Sequence, residues 1–175
     1  MSNSLNEGFS PHPIFLGISL LLLLLSGLII SGCIEAGRRL DFETVDTGEM
    51  SGYTEKQAKF MVIAGNETWG TFWQSYMQGQ KKDIDFDEYL VIAAFQGEKS
   101  TGGYGISIKE ISQTGAVIDI IIEFIEPKKG EIVTEASTQP YHIIKLKKAQ
   151  IEKGLITFRF LDNIRKELTR ESINM

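Results

Sequence analysis

One cysteine, Cys33, occurs in 175 residues. No intrachain disulfide can form, and metal or redox sites built from several thiolates are excluded. Histidine is almost as scarce, with His142 the only one of two that lies beyond Cys33. A multi-histidine metal centre is therefore excluded, and a serine-type triad has a single candidate base. Positive charge is missing from the first 37 residues, where neither lysine nor arginine occurs. Over the whole chain acid exceeds base, 23 Asp and Glu against 18 Lys and Arg, for a formal charge of −5. That balance argues against nucleic acid as a partner, because such affinity comes from cations that neutralise phosphate.

What the N-terminal region does have is a 17-residue uncharged run, Ile14 to Ile30, with unbroken leucine from Leu20 to Leu25. The run ends in Ile30-Ser31-Gly32-Cys33. An apolar residue, two small ones and a cysteine resemble a lipobox. Small residues fit a narrow peptidase groove, and the thiol supplies a thioether for lipid. The segment 1–32 is thus expected to be a signal peptide, and Cys33 the lipidation site of a protein anchored in the cell membrane and facing outside the cytoplasm. Arg38 and Arg39 pull the other way. By the positive-inside rule they would hold the following chain in the cytoplasm behind an uncleaved span, and 17 apolar residues are just enough for one. The lone cysteine standing directly after two small residues favours lipidation. One acyl chain anchors only marginally, so stable tethering implies two chains or a helper signal.

The remaining chain suffices for one domain with its own core. Residues 33–50 read as a tether and a first strand from Leu40 to Asp46. Lys56 to Ala64 alternates, with Ala58, Phe60 and Val62 on one side. Asn66 reads as a helix N-cap. Trp69, Phe72, Trp73, Tyr76 and Met77 follow at helical spacing and form one apolar stripe that packs on a sheet, with Gly79 as the stop. Lys81 to Glu88 is a charged loop. Tyr89 to Phe95, YLVIAAF, suits a strand buried on both faces. Tyr104 to Lys109, Ile118 to Phe124, Tyr141 to Leu146 and Leu155 to Leu161 are further strands, separated by turns at Gly115, Pro127–Gly130 and Lys153–Gly154. The charged stretch 162–175 reads as a tail, a frayed helix or disorder. Short turns between strands and a single strong helix predict an α+β fold. It is predominantly antiparallel β, sandwich- or barrel-like, with one amphipathic helix packed on the sheet.

Three patterns bear on chemistry. Asp83, Asp85 and Asp87 have the spacing of a calcium loop, but Glu88 stands where glycine is needed and Ala94 where glutamate is needed. Thr101-Gly102-Gly103-Tyr104-Gly105 is glycine-rich, yet it has no phosphate-loop lysine and no following helix. It reads as a hairpin loop that exposes backbone and presents one aromatic, which suits a protein partner. His142 shares a strand face with Ile144 and Leu146, the usual place of a hydrogen-bonded core histidine, and no nucleophile elbow accompanies Ser137. Neither catalytic residue nor metal or cofactor site is expected. A hydrolase built around His142 is the least favoured reading.

The stretches VIAAFQGEKSTGGYGISIKEI and EPKKGEIVTEASTQPYHIIKLKK resemble the PrcB C-terminal domain family. The resemblance rests on Thr101, Gly102, Gly103, Tyr104, Pro127, Gly130, Pro140, Tyr141 and His142, and extends over about 51–161. It implies a non-catalytic subunit of a cell-surface protease complex, often a lipoprotein, in agreement with Cys33. It also makes Thr101, Gly102, Gly103, Tyr104, Pro140, Tyr141 and His142 the candidate partner-binding residues. Separately, S-T-G-G-Y is similar to the T-G-Y loop of chagasin-type cysteine protease inhibitors, which implies a direct inhibitor presenting Gly102-Gly103-Tyr104 as an alternative. A third possibility is an envelope lipoprotein that binds a small ligand or another surface protein.

Overall fold

A computed structural model of the chain describes residues 37–175. Cys33 and the expected signal peptide, residues 1–32, lie outside the described residues. Among the described residues, nine strands and one α-helix follow in the order β1 (Arg38–Arg39), β2 (Phe42–Gly48), β3 (Lys59–Ile63), α1 (Asn66–Tyr76), β4 (Tyr89–Phe95), β5 (Gly105–Thr114), β6 (Val117–Ile125), β7 (Tyr141–Lys147), β8 (Leu155–Leu161) and β9 (Glu167–Asn174).

The strands form two sheets, ordered β1-β5-β6-β8-β9 and β2-β7-β4-β3. They pack as a sandwich, and α1 covers the outer face of the four-stranded sheet. The expected β-rich fold with one packed helix is what the chain adopts. Strand β4 explains the layering. Its even residues Leu90, Ile92 and Ala94 join the inter-sheet core with Ile118, Ile120, Phe158 and Phe160. Its odd residues Val91, Ala93 and Phe95 join a second core with Trp69, Phe72 and Trp73 of α1. A strand apolar at every position is the one that can sit between two layers. The helical stripe lands as its spacing predicts. Each indole N–H finds a carbonyl just past the helix, Trp69 on Lys82 at 2.8 Å and Trp73 on Gly79 at 3.1 Å.

Three local expectations are corrected. Asn66 is the first helical residue rather than the cap; Gly65 holds the cap position in extended backbone, without a side-chain bond, and its carbonyl accepts the Trp69 N–H. The helix ends at Tyr76, before Gly79, whose φ of 80° serves the following turn. The stretch 162–175 is neither frayed helix nor disordered. It turns through Asp162–Lys166, with Arg165 at φ 63°, and returns as β9, paired with β8 from Leu155↔Asn174 to Leu161↔Glu167. Its alternation is hard to see because an outermost strand keeps mostly exposed polar residues.

Most pairings are antiparallel, but β6 and β8 run parallel, Val117↔Thr157 to Ile121↔Leu161. Strand β7 lies in the other sheet, so the chain leaves β6, crosses, and returns in the same direction. A bidentate pair spans the parallel rungs, Arg159 Nε to Asp119 Oδ1 at 2.7 Å and Nη2 to Oδ2 at 2.9 Å. At the other end of the same sheet, buried Leu40 marks where the chain passes from β1 into β2 of the opposite sheet.

Candidate functional site: two interlocked loops at one end of the sandwich

The connection from β4 to β5 (residues 96–104) and that from β6 to β7 (126–140) leave the sandwich at the same end. They are stitched together. Lys99 and Thr138 exchange two backbone bonds, at 2.8 and 2.9 Å. The Gly102 N–H donates to Thr134 O at 3.0 Å, and the Thr138 hydroxyl to Thr101 O at 2.9 Å. Ser137 Oγ donates to Lys99 O at 3.0 Å. The first loop is also pinned at its start, where Gln96 N–H meets Pro140 O and Glu98 N–H meets Glu55 O, at 2.9 and 2.8 Å.

The glycines of T-G-G-Y serve this stitching. A Cβ on Gly102 would lie 2.4 Å from Thr134 Oγ1. Gly103 has φ +83°, and a Cβ there would meet Val133 Cγ1 at 2.8 Å and Pro127 Cβ at 3.0 Å. Only glycine allows both the backbone angle and the approach. The expectation that these glycines leave backbone open to a partner is corrected for Gly102, which is buried; Gly103 is exposed.

Tyr104 follows, half-buried, with Lys99 Nζ 5.4 Å from its ring centre. It does not belong to either core cluster. Instead it lines an open groove of about 350 Å³ with Gly48, Gly103, Ile106, Ile125 and Tyr141. Tyr141 is buried, and burial first, then the charge of Asp46, pushes its phenol above the usual range. Pro140 is buried at the foot of the second loop.

His142 is not a surface contact. It points between the sheets and is 7% exposed. Its Nδ1 accepts the Ile108 N–H at 2.9 Å, so the neutral ring carries its proton on Nε2, which donates to Thr44 Oγ1 at 2.9 Å. Burial alone lowers its pKa. Both partners sit at irregularities, Thr44 where β2 slips register against β7, and Ile108 where β5 slips against β6. One imidazole thus clamps the bulged strands of opposite sheets, and neither nitrogen is free to act as a base.

Sequence reasoning missed the apolar surroundings. Ile125, next to Gly105 on the ladder, is 47% exposed. Ile132, one residue before Val133, is 98% exposed, and Met50, bridged to Gln139, is 58% exposed. All three lie at the loop end. The signal is invisible in sequence because an isoleucine closing an alternating strand looks like core.

A β-sandwich with a helix on one sheet and a rigid, partly apolar loop cluster at one end defines a loop-presenting domain. The family model described as PrcB C-terminal matches residues 90–147, from β4 through the interlocked loops to the end of β7. The resemblance read from T-G-G-Y and P-Y-H is borne out over that segment. No curated protein and no solved structure matches the chain.

Proposed function

We propose that the protein is a non-catalytic, protein-binding subunit of a protease complex outside the cytoplasm, held at the membrane by lipid on Cys33. The family match supports association with a protease. The observation that carries the contact surface is the stitched loop pair with half-buried Tyr104 and exposed Ile125, Ile132 and Met50 around it. Exposed apolar groups on a rigid frame suit a protein interface, because little entropy is lost on docking. The engagement of both His142 nitrogens speaks against hydrolysis. Direct inhibition is the weaker reading, since Gly102 and Gly103 are occupied with Thr134, Val133 and Pro127 and the loop is short of free backbone to insert.

The test is affinity capture from native membranes with the full chain and its Tyr104→Ala variant. Aromatic anchors are worth about 2 kcal/mol or more. The variant should therefore retain a captured protease about 30-fold less well, with an unchanged denaturation midpoint. A destabilised variant with undiminished capture would make Tyr104 a packing residue and remove the loop from the interface. Failure of the unaltered chain to capture any protease would end the reading.

A further inference from the structure

We infer that the outer edge of β2 accepts an extended, cationic segment of the protein partner as an added strand. The inference rests on the protein-binding reading and names where and what that partner contributes.

Sheet edges carry unpaired N–H and C=O groups and are normally guarded. Three of the four edges here are. The edge of β5 is covered by β1 at Ser112 and Gln113, by the Leu40 N–H on Ile111 O, and by His142 on the Ile108 N–H. Strand β3 has Glu171 of β9 accepting its Val62 N–H at 3.2 Å. Strand β9 is studded with charge and carries the Glu167–Arg170 pair. Strand β2, seven residues long, is paired only with β7 among the described residues. Beyond its acidic side chains, its guards among the described residues are the register slip between Thr44 and Asp46 and the Asp46 carboxylate on the Thr47 N–H. The row from Phe42 to Thr44 has neither.

Charge selects the occupant. Between positions 41 and 49 stand Asp41, Glu43, Asp46 and Glu49, with no lysine or arginine. Glu43 is paired with Lys145 at 3.0 Å; the other three have no ion-pair partner among the described residues. A second copy of this chain would set acid opposite acid, which opposes pairing. A strand carrying lysine or arginine gains both the ladder and the attraction. The edge also leads somewhere. Gly48 and Glu49 line the groove that holds Tyr104 and Ile125, so a segment laid along β2 continues onto the loop end.

The probe is an eight-residue threonine-valine peptide bearing three lysines, added to the full-length chain in detergent. Two controls accompany it: the same peptide with glutamates, and the lysine peptide N-methylated at alternate residues, which keeps the charge and removes the ladder. Binding by the lysine peptide at least ten-fold tighter than either control, with hydrogen-exchange protection confined to 42–48, is the expected result. The double variant Asp41→Lys, Glu49→Lys alters only exposed side chains and should abolish that preference. Equal binding of the methylated peptide would reduce the effect to charge alone and overturn the inference, as would protection elsewhere, no binding, or a dimer of the chain formed through β2. A protease captured equally by the chain and its double variant would also overturn it while leaving the proposed function standing.

Discussion

At position 142 a single histidine decides whether two bulged strands stay joined. Replacing it by alanine leaves the buried Ile108 N–H without its partner, while the Thr44 hydroxyl, on an exposed residue, can turn to water. An unsatisfied buried group costs about 1–3 kcal/mol, so His142→Ala should lose stability of that order in denaturant melts at neutral pH. The pH dependence follows from the sign of the shift. The folded pKa is depressed, so the unfolded chain binds a proton first. The stabilisation is complete above the ordinary imidazole value of about 6.5 and is lost as pH falls through the folded value. The gap between wild type and His142→Ala should therefore narrow on acidification. A gap that is constant from neutral to acidic pH would mean that the ring's protonation is not coupled to folding. The apolar spacing around His142 foretold its burial; the two bulges it clamps were not foreseeable, because each depends on a register between segments distant in the chain. Gly103 is a similar case. Its place in a turn is readable, but its steric need comes from Val133 and Pro127, distant in the chain.

Among elements, legibility tracked burial. YLVIAAF declares β4 because it is apolar on both faces, and the tryptophan stripe declares α1 because five large residues repeat at helical spacing. Strand β9 does not declare itself, since Glu167, Arg170 and Glu171 face solvent or the sheet edge. Its role is nevertheless structural. It covers the edge of β8, which carries the buried Ile156, Phe158 and Phe160. Ending the chain after Asn163 should lower the melting midpoint markedly and cause aggregation on heating, by exposing a long apolar edge strand. An unchanged midpoint, measured by circular dichroism and light scattering, would restore the reading of a dispensable tail.

For the molecule as a whole, the anchoring prediction concerns Cys33, which lies beyond the described residues. Mass spectrometry of the native protein should find a lipid-modified Cys33 at the N-terminus. Cys33→Ala should leave the protein unlipidated and shift it out of the membrane fraction. An intact Met1 with an unmodified Cys33 would favour the retained anchor, the outcome for which Arg38 and Arg39 argue. The sequence by itself determined the strand-rich class, the helix that packs on a sheet, and the ordered motifs that match the family segment, because periodicity and turn chemistry are local. Only the tertiary structure decided that the strands divide into two sheets, that β6 and β8 run parallel, and that residues 99–102 lock onto residues 134–138. Those outcomes depend on which strand crosses to the opposite layer. Local pattern cannot carry that choice, because an alternating strand buries its apolar face equally well in either sheet.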